Sequence, residues 1–127
     1  MDTDLEGNYL NIELSEQRSM NRQGWLILVQ KGYTSDQLLQ LDFVFVTGER
    51  SNAKRFQAFL QELDYKAQVV NNDDEFEISG KTPEMQLTLE GLQDWTARMV
   101  EYGMKYGCTF DGWTSDAIFN NNNSEKK

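Results

Sequence analysis

The chain has 127 residues, 39% of them hydrophobic, which is enough for one domain with a core that needs neither disulfides nor a metal. Its 21 acidic and 12 basic side chains give a net charge of −9, which repels phosphate backbones and attracts basic protein segments. With no histidine and a single cysteine, Cys108, the sequence excludes Ser–His and Cys–His nucleophile pairs, histidine-ligated metals, thiolate zinc sites within one chain and an internal disulfide.

The same composition bears on location and domain organisation. One cysteine and no apolar run near the ~20 residues that cross a bilayer predict a cytoplasmic protein without a membrane span. The acidic residues 1–6 lack the basic and apolar regions of a secretory signal peptide. We expect a flexible acidic lead-in at residues 1–10, a single domain at residues 11–114 and a flexible polar tail at residues 115–127.

The first predicted element is a helix over residues 11–31. Its apolar residues fall roughly on one face: Leu14, Trp25, Leu28 and Val29. Gly24 weakens the helix interior by about 1 kcal/mol relative to alanine. Gly32 follows the last periodic residue and is typical of a helix end.

A strand and a second helix follow. Residues 38–47 alternate and become apolar on both faces toward their end, which predicts a central strand. Ser51 is a suitable N-cap for the next helix. The buried stripe of that helix is predicted to contain Phe56, Phe59, Leu60 and Leu63, with i, i+3, i+4 and i+7 spacing.

The second half of the chain repeats this order. Residues 65–70 and 75–80 predict two strands joined as a hairpin, since residues 71–74 tolerate left-handed turn geometry. Pro83 predicts a bend or bulge, after which the strand can resume. Apolar residues with three–four spacing predict a helix over residues 90–106, and residues 108–113 predict the last strand.

The order after the first helix is therefore strand, helix, strand, strand, helix, strand. Because strand–helix–strand crossovers are right-handed, this order favours one topology. It is the α+β, ferredoxin-like βαββαβ sandwich, with a four-stranded antiparallel sheet and two helices on one face. The extra N-terminal helix is expected to cover the other face or an edge of the sheet.

This element order and the closing segment at residues 106–113, Tyr-Gly-Cys-Thr-Phe-Asp-Gly-Trp, resemble the family of regulator of ribonuclease E activity B, also called the ribonuclease E inhibitor family. The resemblance runs from about Glu13 to Trp113. It implies a ferredoxin-like fold and a small cytoplasmic regulator that binds ribonuclease E and lowers its activity by protein contact. Neither catalysis nor a cofactor is expected, and no direct nucleic acid or membrane partner.

Six residues are the candidates for partner binding: Asp73, Asp74, Glu75, Glu77, Asp111 and Trp113. The carboxylates would attract a basic segment of the partner, and tryptophan is enriched among binding hot spots. The structural alternatives are a solvated hairpin turn for the acidic run and a core or rim position for Trp113. A loosely held divalent cation at residues 73–75 is weakly supported, because the run lacks the spacing of an EF-hand loop.

Three other functions remain open at this point. A self-associating module or homodimer would bury the Val44 and Val46 side of the sheet if the first helix does not cover it. A small-ligand-binding domain would need convergent polar groups in a pocket. RNA binding would need Phe43 and Phe45 to stack on bases, and the net charge of −9 disfavours it.

Overall fold

The computed structural model describes the backbone of residues 2–115 and the side chains of residues 12–115. Its elements, in chain order, are α1 (Asp2–Gln30), β1 (Leu38–Leu39), β2 (Leu41–Thr47), α2 (Arg50–Glu62), β3 (Lys66–Asn72), β4 (Glu75–Lys81), β5 (Met85–Gln86), α3 (Leu89–Lys105) and β6 (Thr109–Ser115). Apart from Ser115, the expected polar tail lies outside the described residues. Within the described part of the chain, no helix is long and apolar enough to cross a membrane.

The main sheet has four strands in the order β3-β4-β2-β6, and every neighbouring pair is antiparallel. This is the predicted ferredoxin-like arrangement, with β2 as a central strand. The two crossovers, through α2 and α3, place both helices on the same side. The α+β class and the four-stranded antiparallel sheet are therefore confirmed.

The core lies between the sheet and its helices. Along β2 the residues facing the helices are buried, and those on the opposite face are half-buried, as period-two alternation requires. Phe45 is at the centre, with its ring centroid 4.6 Å from that of Phe56 on α2 and 5.1 Å from that of Phe110 on β6. These edge-to-face contacts tie one helix and two strands together.

Helix α2 packs against β2, β3 and β4, and its stripe of buried apolar side chains is narrower than the sequence spacing predicts. Phe56 and Leu60 are fully buried, whereas Leu63 is the C-cap residue and is 38% exposed. The predicted N-cap, Ser51, is wrong: Glu49 occupies that position, and its side chain makes no capping hydrogen bond. The N-cap therefore lies two residues before the predicted one, and Ser51 falls inside the first turn of α2.

Helix α3 follows its sequence pattern closely. The Thr88 side chain accepts a 3.0 Å hydrogen bond from the backbone N–H of Gly91, which satisfies one free donor at the helix start. Leu92, Trp95 and Met99 are buried on the face toward the sheet. Their burial fixes α3 over β6 and the centre of the core.

Helix α1 begins at Asp2, not near residue 11. The acidic residues in its first turn favour a helix N-terminus, which the hydrophobic pattern alone does not show. The helix packs mainly against α3 beside the β6 edge, and among the described residues it has no comparable packing against β2, β3 or β4. Leu28 is buried as expected, but Val29 is 47% exposed, so its predicted place on the buried face is wrong.

A second, two-stranded sheet was not predicted. The strand expected over residues 38–47 breaks at Gln40, and its first part, β1, pairs with β5 beyond Pro83. Tyr33 joins this small sheet to the end of α1, because its hydroxyl accepts a 3.0 Å hydrogen bond from the Leu87 backbone N–H and donates to the Gln37 carbonyl at 3.0 Å. The extra pairing closes one end of the core.

Candidate functional site

The β3–β4 hairpin brings four of the candidate carboxylates to one end of the sheet. Asn72 pairs with Glu75, so Asp73 and Asp74 form a two-residue turn. Asp73 has a φ of 59°, the left-handed conformation that such tight turns require. We call Asp73, Asp74, Glu75 and Glu77 the acidic hairpin.

The carboxylates of the acidic hairpin are available to solvent. Asp73, Asp74 and Glu75 are exposed, and Glu77 is half-buried on the sheet. None of the four forms an ion pair within the described residues. Residues 71–80 contain no lysine or arginine, so nothing in the hairpin neutralises the local negative potential.

The sheet face opposite the helices, here called the open face, carries its charges unevenly. The strand register places Val46, Glu77 and Val70 side by side across it, and Val44 pairs with Ser79. At its far end, Lys66 on β3 and Lys81 on β4 lie opposite each other in the strand register. Lys81 also forms a 2.5 Å salt bridge with Asp42. The open face is therefore acidic at the hairpin end, whereas at the other end Asp42 offsets the charge of Lys81 and Lys66 adds a positive charge.

Asp111 lies apart from the acidic hairpin. The β2–β6 register shifts between Val44 and Phe45, and Asp111 and Gly112 form the bulge at that point. Gly112 has a φ of +129°, which side-chain-bearing residues rarely adopt. Asp111 is exposed, but two strand spacings, about 10 Å, separate β6 from β4.

Trp113 is half-buried and held by α1. Its indole N–H donates a 2.7 Å hydrogen bond to the Asn21 side-chain oxygen. Its ring lies over Gly24, with so little space that a Cβ there would come within 2.9 Å of it. These contacts account for Trp113 as a structural residue, and its role as an interface anchor remains a prediction.

The aromatic residues considered for RNA stacking face the wrong way. Phe43 and Phe45 are 1% and 0% exposed, and both point at the helices. The nearby basic residues Arg50, Lys54 and Arg55 are exposed on α2, on the other layer of the sandwich. No base can stack on these two rings while the helices cover them.

One pocket within the described residues adjoins the single cysteine. A cavity of about 240 Å³ lies between α1, α3 and β6, lined by Glu13, Val100, Met104, Cys108 and Phe110 among others. Burial raises the pKa of the Cys108 thiol to about 11, so the reactive thiolate is scarce at neutral pH. In the part of the chain that the structure describes, no cluster of three or more histidine, cysteine or acidic residues could hold a metal.

Two features of this region were missed by the sequence reasoning. Lys66 and Lys81 are far apart in sequence, and only the strand register shows that they lie opposite each other. Asn21 sits within a polar stretch of α1 and resembles a solvent-facing residue, yet it is 0% exposed and binds Trp113, Gln93 and Thr96. No local signal in the sequence distinguishes such a buried amide.

The fold, the open face and the acidic hairpin can be compared with known proteins. No individual curated protein matches the chain. A family model, described as regulator of ribonuclease activity B, matches residues 18–115, from α1 to the end of β6. The match covers more than half of the chain and includes the complete four-stranded sheet, and the protein therefore belongs to the regulator of ribonuclease activity B family.

Proposed function

We propose that this protein is a non-catalytic regulator that binds ribonuclease E and lowers its activity by protein contact. Membership of a family of ribonuclease regulators supports regulation of RNA degradation as its role. The single cysteine of the chain, Cys108, is buried and protonated at neutral pH, so it is poorly suited to act as a nucleophile. This favours binding over catalysis. That reduced cysteine suits a cytoplasmic location.

The acidic hairpin is the observation that carries this proposal. Four carboxylates project from one end of the open face, without ion-pair partners in the described chain. The two-residue turn and the β3–β4 ladder order the backbone that carries them, so little backbone entropy is lost on binding. Their natural counterpart is a segment of the partner that is rich in arginine or lysine.

Electrostatic attraction of this kind acts mainly on the rate of association. The net charge of −9 gives a broad negative field, and the acidic hairpin concentrates it at one site. Exposed charges are screened beyond about 8 Å at physiological ionic strength. Binding should therefore weaken as salt is raised, mostly through a slower association rate.

The test is a binding measurement with purified ribonuclease E at low and at physiological salt. The variant Asp73→Asn/Asp74→Asn/Glu75→Gln removes three charges while asparagine still tolerates the turn geometry at position 73. A matched control, Glu16→Gln/Glu62→Gln/Glu101→Gln, removes three exposed charges elsewhere. We expect the hairpin variant to bind at least about tenfold more weakly and the control to bind nearly as the unmodified protein does.

Two results would contradict the proposal. If the unmodified protein neither binds ribonuclease E at low salt nor slows its cleavage of an RNA substrate, the proposed partner is wrong. If both triple variants weaken binding equally, the net charge of the protein governs binding and the position of the acidic hairpin does not. A parallel RNA-cleavage assay with each variant shows whether lost binding also removes inhibition.

A second candidate function, self-association, is supported by the open face. Val70 is 45% exposed, Val44 and Val46 are half-buried, and α1 packs elsewhere. A second copy placed antiparallel would bring Lys66 of one open face over the acidic hairpin of the other. Sedimentation at micromolar concentration tests this directly, and a monomer at all concentrations would remove it.

A further inference from the structure

Strand β3 is an edge of the main sheet, and its register shows which backbone groups face outward. Asn72 and Glu75 flank a two-residue turn, so they exchange backbone hydrogen bonds. Because bonded and non-bonded pairs alternate, Val70, Gln68 and Lys66 also bond to β4. The N–H and C=O groups of the intervening residues, Ala67, Val69 and Asn71, therefore point away from the sheet.

One part of this edge is already occupied. The Ala67 carbonyl accepts hydrogen bonds from the side-chain amides of Gln57 at 3.0 Å and Gln61 at 3.3 Å, both on α2. Within the described residues, no comparable side chain binds the outward groups of Val69 or Asn71. The free part of the edge is therefore the half next to the acidic hairpin, and the blocked part is the half that carries Lys66.

The side chains beside this free half suit one kind of occupant. Val70, on the edge strand β3, belongs to the open face and is 45% exposed. Its partner in the register of β4 is Glu77. The aliphatic part of an arginine or lysine can cover Val70 while its charged group reaches Glu77. Asp73 and Asp74 supply further negative charge at the end of the strand.

We propose that an extended, basic segment of the protein partner adds to β3 as a fifth strand, pairing with Val69 and Asn71. This inference rests on the proposed function and specifies its binding mode. Main-chain hydrogen bonds would supply affinity, and arginine or lysine at alternate positions would supply specificity. Lys66 and the two glutamines set the limit of the added strand, which is consistent with edge lysines as a guard against pairing.

The other edge of the sheet is less suitable. Strand β6 is bulged at Asp111 and Gly112, which interrupts the regular spacing of its backbone groups. Helix α1 lies beside it and contacts Trp113. Of the two edges of the main sheet, β3 therefore offers a straight extended segment the more regular ladder.

The first test uses two fluorescein-labelled ten-residue peptides that alternate arginine with threonine. The second peptide carries N-methyl groups on its threonines, which keeps its charge and removes half of its backbone donors. Fluorescence anisotropy should show the unmodified peptide binding at least about tenfold more tightly. Equal binding of the two, or no micromolar binding of the unmodified peptide, overturns the proposal.

The second test changes the edge itself. Val69→Pro removes the outward N–H and leaves the β4 ladder intact, whereas Val69→Ala shortens the same side chain and keeps the N–H. We expect the proline variant alone to lose about tenfold in affinity for the unmodified peptide. Circular dichroism melting verifies that both variants fold.

A third variant should bind the unmodified peptide more tightly, not more weakly. Gln57→Ala/Gln61→Ala frees the Ala67 carbonyl and lengthens the available edge, so peptide affinity should rise by a few fold. A misfolded protein cannot produce this gain. An unchanged or lower affinity of this folded double variant would count against strand addition.

Binding to ribonuclease E separates this inference from the function on which it rests. If unmodified protein captures the enzyme and Val69→Pro captures it equally well, strand addition at β3 is overturned and the proposed function stands. If the unmodified protein captures nothing, the proposed function fails whatever the peptides do. Capture that Val69→Ala retains and Val69→Pro loses supports both.

Discussion

The indole N–H of Trp113 donates a 2.7 Å hydrogen bond to the side-chain oxygen of Asn21, 92 residues earlier in the chain. The Asn21 amide nitrogen donates in turn to Gln93 and Thr96 on α3, both at 2.9 Å. One fully buried side chain thus links α1, α3 and β6. Since buried polar groups are costly unless paired, this network fixes the position of α1 specifically.

Asn21→Ala should lower the free energy of unfolding by about 1–3 kcal/mol, because the Trp113 N–H loses its acceptor and the buried Thr96 hydroxyl loses its donor. Urea unfolding measures the loss, and Gln23→Ala, an exposed residue on the same helix, should change stability by less than about 0.5 kcal/mol. A double-mutant cycle with Trp113→Phe should show coupling of about 0.5–3 kcal/mol. Additive effects of the two substitutions would mean that the bond does not hold α1.

Gly24→Ala should destabilise the protein even though alanine favours a helix by about 1 kcal/mol. The added Cβ would lie 2.9 and 3.0 Å from two ring atoms of Trp113, and the hydrogen bond to Asn21 prevents the ring from moving away easily. In a Trp113→Ala background the obstacle is gone, so the same substitution should become stabilising. Thermal unfolding of the four proteins measures both signs, and a stabilising effect with Trp113 present would contradict this explanation.

Much of the fold follows from the sequence because strand alternation and helix spacing each mark a buried face. The alternation in β2 and the three–four spacing in α3 identify the core and the order of elements. Spacing alone does not give the width of a stripe, which is why Leu63 and Val29 were wrongly placed inside. Both residues continue the helical spacing of apolar side chains, but Leu63 is the C-cap residue of α2 and Val29 is the last residue but one of α1, where the side chain is exposed.

The candidate site was predictable only in part, for a physical reason. The acidic hairpin is contiguous in sequence, and turn chemistry alone brings Asp73 and Asp74 to an exposed tip. Asp111 was grouped with them by charge, but its distance from them depends on the strand order, which places β6 at the edge opposite β3. The free edge groups of Val69 and Asn71 depend on register, which no local pattern shows.

Tyr33→Phe should lower the free energy of unfolding by about 1–3 kcal/mol. The substitution keeps the ring and removes the hydroxyl that accepts from the buried Leu87 N–H at 3.0 Å. Tyr102→Phe is a suitable control, since that hydroxyl has no hydrogen bond within the described residues and should matter little. Equal stability of the two variants in urea would show that the small β1–β5 sheet does not depend on Tyr33.

Cys108 should make stability fall above pH 9. Burial of the thiol, which is 2% exposed, raises its pKa from its ordinary value of 9.0 to about 11 in the folded protein. Between these values the unfolded chain loses the thiol proton while the folded chain retains it, so deprotonation favours unfolding as pH rises. At about 1.4 kcal/mol per pH unit, the loss approaches 2–3 kcal/mol by pH 11.

The measurement is urea unfolding of the unmodified protein and of Cys108→Ala from pH 8 to pH 11. Lysine and tyrosine titrate in the same range, but they are common to both proteins, so the difference between the two curves isolates the thiol. The unmodified protein should lose its stability advantage over Cys108→Ala as pH rises through that window. Parallel curves, or rapid labelling of the native thiol at pH 8, would show that Cys108 is accessible to water and not held in the core.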